Sequence, residues 1–174
     1  MYIMTVVFDG IVWTAYSQLE LVTPGAASID PRDAFEGQAN GLCGANVRGA
    51  LFLVTGIHTG DVPVQVNVMD AAPGLGGWEE IVEVTFQPEG TEAVLCGWAS
   101  DPTVSFQLDA PSYRVRWCAS GMDEGKAQDV ADETNPAPDR YAVYLWPAPV
   151  SGDAVVRRTS EVAAYWHDHG FIRS

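Results

Sequence analysis

Apolar side chains fall at every second position through much of the chain, the spacing that makes a ribbon with one dry and one wet face. It is clearest in Gln18 to Val22, Val62 to Val68, Ile81 to Phe86, Val104 to Leu108, Tyr113 to Cys118 and Tyr141 to Trp146. Each reads as a short, half-buried strand. Turn-forming clusters lie between them, among them Gln87-Pro88-Glu89-Gly90, Ser100-Asp101-Pro102 and Asp109-Ala110-Pro111-Ser112. Many short strands with Gly and Pro punctuation predict a mainly β protein, an antiparallel β-sandwich of jelly-roll-like form, rather than alternating βαβ units.

Two runs depart from strict alternation. Val6 to Trp13 and Leu51 to Val54 are more continuously apolar, as in central strands covered on both faces, and Asp9-Gly10 would place a tight hairpin turn inside the first. From Gly25 to Gly49 the alternation disappears, which predicts a long ordered loop. A second irregular stretch, Ser120 to Pro138, is rich in acids and reads as a solvated loop, flexible or holding a short helical turn.

Pro147-Ala148-Pro149 is expected to end the sheet. From Asp153 to His169 the period changes. Val155, Val156, Thr159, Val162, Ala163 and Trp166 share one side of a 3.6-residue helix, with Ser151 or Asp153 to cap its start and Gly170 to end it. The expectation is a single domain over residues 1–174 with one C-terminal α-helix, about 153–169.

Composition narrows the function classes. Among 174 residues there are 23 acids and 9 bases, a net charge of −14, with Lys126 the single lysine. Direct nucleic-acid binding needs clustered Lys and Arg and is excluded on that balance. What remains is ordinary solubility, or attraction to a basic partner surface. No apolar run approaches a membrane span and no basic, apolar leader opens the sequence, so neither membrane insertion nor export is expected, and the location expected is cytoplasmic. Cys43, Cys96 and Cys118 match no zinc or CxxC spacing and read as reduced, buried thiols.

The candidate chemistry is sparse. His167-Asp168-His169 could hold a cation if extended, but on a helix residues two apart diverge, and a helix terminus is the favoured reading. Cys43, in Gly41-Leu42-Cys43-Gly44, could meet His58 as a nucleophile, though an interior thiol is the simpler account. Gly74-Leu75-Gly76-Gly77 runs into Glu79-Glu80 and is no phosphate cradle. No catalytic residue, metal or cofactor is assigned. Arg114 and Arg116 alternate with Tyr113, Val115 and Trp117, which puts both guanidiniums on the wet face of a strand. They either pair with cross-strand acids or, with Trp117, line a site for an acidic ligand. Among six tryptophans and six tyrosines, any that are exposed become interface anchors.

The order of motifs carries a resemblance. Ala15-Tyr16-Ser17-Gln18-Leu19 opens a strand, and Trp78 precedes the strand Val82 to Phe86. Phe106-Gln107-Leu108-Asp109-Ala110-Pro111-Ser112-Tyr113 leads into an Arg-Trp-Cys strand, and Asp139-Arg140-Tyr141 precedes a last one. Over about residues 14–146 this resembles the bacterial competence-nuclease inhibitor (competence protein J-like) family. The tail from Asp139 to His167 also resembles uncharacterised actinobacterial proteins. The family resemblance implies a β-sandwich that binds and blocks a nuclease, with acidic surface where that enzyme expects phosphates.

The leading functional expectation is therefore a non-enzymatic binding protein of the inhibitor or immunity type. Its acidic loop, with Asp123, Glu124, Asp129, Asp132 and Glu133, would meet a basic protein such as a nuclease. The alternatives are a small-ligand- or carbohydrate-binding jelly roll, or an enzyme on that scaffold, using Arg114, Arg116 and Trp117, and a structural subunit that self-associates through a sheet edge.

Overall fold

The computed structural model describes residues 2–26 and 29–171. In chain order the elements are β1 (Met4–Thr14), β2 (Gln18–Val22), α1 (Pro31–Phe35), β3 (Cys43–Gly44), β4 (Ala50–Val54), β5 (Gly60–Met69), β6 (Glu80–Phe86), β7 (Glu92–Cys96), β8 (Pro102–Gln107), β9 (Tyr113–Ser120), α2 (Met122–Gln128), β10 (Arg140–Pro147), β11 (Ala154–Arg157) and α3 (Glu161–Asp168). They form two sheets, one of six strands in the order β1-β5-β10-β9-β6-β11 and one of five in the order β3-β4-β2-β7-β8. Among the described residues every pairing between these strands is antiparallel except β5 with β10. The predicted β-sandwich with a C-terminal helix is the observed architecture. Among the described residues no helix is long and apolar enough to cross a membrane.

The alternating segments deliver the core. Leu19 and Leu21 from β2, Leu51 and Leu53 from β4, Val64 and Val66 from β5, Val82 and Val84 from β6, and Val143 and Leu145 from β10 are all buried between the sheets. Trp117 stacks on Tyr141 with ring centroids 4.9 Å apart. Its indole N–H donates to the Val54 carbonyl at 3.3 Å, so one side chain of the six-stranded sheet is hydrogen-bonded to the backbone of the other sheet.

Several expectations are corrected. β1 is an edge strand and not a central one, and Asp9-Gly10 makes no turn: it pairs straight through with Gln65 and Val64 after a bulge between Val6 and Phe8. The continuous ten-residue partner β5 keeps the chain extended, and Gly10 lies against the Phe8 ring, where a Cβ would come within 2.9 Å. Leu51 to Val54, by contrast, lies buried on both faces, with Phe35 of α1 packed on Phe52 at 5.8 Å.

The predicted helix 153–169 divides, and the sheet does not end at Pro147. Residues 154–157 form β11 on the edge of β6, where Arg157 donates to the carbonyls of Gly76 (3.0 Å) and Trp78 (2.7 Å). The helix starts only at Glu161, capped by the Ser160 hydroxyl rather than by Ser151 or Asp153. Gly170 follows it with a left-handed φ of 57°, as a helix end favours. Asp153 instead accepts the N–H groups of Ala39 and Asn40. The stretch from Gly25 to Gly49 likewise contains α1 and β3 where only a loop is predicted.

Candidate functional site

The acidic segment is built on a rigid seat. Gly121 takes a left-handed φ of 79° to turn the chain out of β9, at a point where a Cβ would sit 2.6 Å from the Pro138 carbonyl oxygen. Met122 then buries its side chain and starts α2. Beneath α2, Gly125 lies against the buried carboxylate of Asp139, which leaves no room for a side chain. Asp139 Oδ2 accepts the Ile57 N–H at 2.9 Å and the phenolic proton of Tyr141, and the Tyr141 oxygen accepts the Gly56 N–H at 2.7 Å. Burial, and after it the Asp139 charge, raise the Tyr141 phenol well above its ordinary range, so it remains a donor. Asp139 and Tyr141 thus lock the loop between β4 and β5 to the base of the acidic segment.

The five predicted acids divide by what they touch. Asp123 caps α3: its two oxygens accept the N–H groups of Val162 (2.9 Å) and Glu161 (3.1 Å). Glu124 is exposed on α2. Asp129 ends α2 with a left-handed φ of 70°, and its carbonyl accepts the N–H groups of His58 (2.9 Å) and Thr59 (3.1 Å). Asp132 is exposed and accepts from the Thr134 hydroxyl (2.7 Å) and from the N–H groups of Thr134 (2.8 Å) and Asn135 (2.9 Å). Those donors, the hydroxyl first, hold its carboxyl below the usual range and keep it ionised. Glu133 is exposed beside it.

This segment closes one side of a groove of about 280 Å³ whose other side is the outer face of β1 and β5. Ile11, directly opposite Pro63 in the register, forms an apolar floor, and Asp61, Asp132 and Glu133 stand around it. Ile11 is 60% exposed, far more than a strand residue needs to be. Among the described residues no ion pair engages Asp61, Asp132 or Glu133. The result is a surface with a hydrophobic centre and uncompensated negative charge, suited to a cationic partner that also buries apolar area. Sequence reasoning missed Ile11 because a long apolar run reads as buried whichever face it presents, and missed Pro63 and Asp61 because only the β1–β5 register brings them beside it.

The arginines have internal partners. Glu83 receives Arg114 Nε at 3.3 Å and Arg116 Nη2 at 2.8 Å, and Arg114 also donates to the Gly152 carbonyl at 2.8 Å. Arg116 is not on the wet side as predicted: it is 4% exposed, covered by the Pro73 carbonyl at 3.0 Å and lying over the Trp146 ring at 5.2 Å. Trp117 points the opposite way, into the core at 0% exposure, so it lines no open pocket. A cleft of about 830 Å³ does lie between α2 and α3, bordered by Asp123, Lys126, Val162, Tyr165 and Trp166, but none of the three predicted ligand residues reaches it.

His167 and His169 do not converge. His167 is buried and accepts the Gly41 N–H through Nδ1 at 2.9 Å, while His169 contacts the Tyr165 carbonyl at 3.1 Å. Among the described residues no group of three or more His, Cys, Asp or Glu is placed to hold a metal ion. The three cysteines are free and buried.

No family model matches the chain, and no curated protein is similar to it in sequence. Two solved structures share its fold. One is the crystal structure of ComJ, an inhibitor of the DNA degrading activity of NucA, from Bacillus subtilis, with a TM-score of 0.58 at 13% identity. The other is the product of crocagin biosynthetic gene J, with a TM-score of 0.57 at 17% identity. In each case the likeness covers 84% of this chain and 99% of that chain. The predicted resemblance to the competence-nuclease inhibitors is therefore a resemblance of fold.

Proposed function

We propose that this chain is a non-enzymatic inhibitor or immunity-type protein, one domain over residues 1–174, that works in the cytoplasm by binding a basic protein, with a nuclease the favoured partner class. The observation that carries this reading is the groove in which Ile11 and Pro63 are ringed by the unpaired carboxylates of Asp61, Asp132 and Glu133. Glu124 and Asp129 extend the same negative field. On a nuclease, cationic side chains arranged for phosphates would meet carboxylates in their place, and the apolar floor would hold the complex once formed. The fold shared with ComJ, itself an inhibitor of the DNA degrading activity of NucA, supports this reading.

The test is capture on immobilised protein from the native host's lysate at low and raised ionic strength, read by nuclease assay and mass spectrometry of the eluate. The wild type is expected to retain a basic nuclease at low salt and release it as salt screens the charges. A combined Asp129→Lys, Asp132→Lys, Glu133→Lys variant is expected not to retain it. Retention indifferent to both salt and charge reversal, or an eluate with no nuclease, overturns the proposal.

A further inference from the structure

At one end of the sandwich two tight turns touch. In the first, which joins β1 to β2, Gln18 N–H donates to the Ala15 carbonyl at 3.3 Å, and Tyr16 and Ser17 take φ values of 55° and 58°. In the second, which joins β7 to β8, Asp101 N–H donates to the Trp98 carbonyl at 3.3 Å, and Ala99 and Ser100 take 58° and 60°. Two consecutive left-handed residues are the geometry of a type I′ turn, which Asn and Gly adopt without strain. Neither turn contains one. Four residues with side chains therefore stand in a backbone region that disfavours them.

Fold packing does not account for this choice at Tyr16, whose side chain is 60% exposed. Its ring lies 4.8 Å from that of Trp98 and 5.2 Å from that of His58, so three rings cluster at the turn tips. Carboxylate residues stand on the same turns and the strands beside them: Asp101 ends the second turn, the Ser100 hydroxyl donates to Glu20 Oε2 at 3.3 Å, and Asp61 lies opposite the exposed Trp13 in the β1–β5 register. Strained backbone that holds an exposed aromatic ring, as at Tyr16, points to a functional surface rather than a connector. Rings flanked by carboxylates fit one side-chain chemistry above others. A guanidinium stacks flat on an aromatic face while its edge donates in a fork to a carboxylate, whereas an ammonium is a point charge that does neither as well. The chain already makes such stacks internally, with Arg140 over Trp78 at 4.4 Å and Arg116 over Trp146 at 5.2 Å.

We infer that the paired turns carrying Tyr16 and Trp98 form the seat for an arginine side chain of a basic protein partner, next to the acidic groove. This inference rests on the binding role proposed above and adds to it the residue type the partner presents.

The test uses the intact chain and N-acetyl tetraarginine amide as the probe, followed by NMR of backbone amides and indole N–H groups, with tetralysine for comparison. Tetraarginine is expected to move the Tyr16, Ser17 and Trp98 signals saturably and to bind more tightly than tetralysine. Tyr16→Gly and Tyr16→Asn, both at ease in a left-handed turn, are expected to keep or raise the melting temperature while weakening tetraarginine by about two- to fivefold. Unmoved Tyr16 and Trp98 signals, or unchanged affinity in both folded variants, overturn the arginine seat. The Asp132→Lys, Glu133→Lys variant separates the two proposals. If it alone weakens the probe, the acidic groove stands and the aromatic seat falls; if only the Tyr16 variants weaken it, the seat stands and the groove falls.

Discussion

The buried carboxylate of Glu80 accepts the backbone N–H of Ser160 at 3.0 Å through Oε2 and that of Thr159 at 2.6 Å through Oε1. Asp123 takes the next two N–H groups, of Glu161 and Val162, and the Ser160 hydroxyl takes that of Ala163 at 3.1 Å. Every donor at the start of α3 is thereby satisfied, by one hydroxyl and by two carboxylates that also face the positive end of the helix. Removing the buried member leaves two N–H groups without partners. Glu80→Ala is expected to destabilise the protein by about 2–4 kcal/mol, and Asp123→Asn, at a partly exposed cap, by no more than about 1 kcal/mol. Urea unfolding gives both numbers. Amide exchange should show α3 losing protection first, and equal effects of the two substitutions would contradict the assigned roles.

The thiols should be inert in the folded protein. Burial, reinforced by Glu20 and Asp101, pushes the Cys96 thiol up to about 11. Burial pushes Cys118 up to about 12 although Arg116 opposes it, and burial with Asp153 drives Cys43 higher still. At pH 8 the thiolate fraction of Cys96 is then on the order of one in a thousand, and only a thiolate attacks. A thiol reagent at pH 8 is expected to label none of the three over the minutes in which it labels all three in denaturant. Rapid labelling of one cysteine in the native state would show a microenvironment other than the one described.

What could be read ahead of the fold follows a physical boundary. Gln18 to Val22 and Tyr141 to Trp146 were legible because alternation is written by neighbours two residues away, and the sandwich follows from many such segments. Val155 and Val156 suit a helix face or an edge strand equally. The strand wins because β6 offers a free edge and because Glu80, some 80 residues away in sequence, draws the Thr159 and Ser160 N–H groups out of any earlier helix. The same limit governs the site. That acids cluster near residue 130 is local information. That Asp123 caps another helix, that Ile11 forms the groove floor, and that Tyr16 meets Trp98 are facts of register and of which sheet each turn joins, and no local pattern encodes them.

His167 sets a direction for stability against acid. Burial, and after it the Arg158 charge, lower its imidazole from 6.5 to about 4, against smaller opposing influences from Asp168 and Asp153. The geometry agrees, since Nδ1 accepts the Gly41 N–H at 2.9 Å and cannot also carry a proton there. The folded state therefore holds this ring neutral where the unfolded chain would protonate it. A base with a depressed folded pKa makes the unfolded state the greater proton binder, so its contribution to stability is complete above about pH 6.5 and declines as pH falls toward 4. His167→Gln, which can still accept from Gly41 but does not titrate, is expected to lose less stability than the wild type between pH 7 and pH 4.5. Because the many carboxylates titrate in both proteins, the difference between the two urea-unfolding profiles isolates the histidine. Parallel profiles across that range would mean that His167 titrates alike in the folded and unfolded chain, and that the bond from Gly41 does not hold the ring neutral.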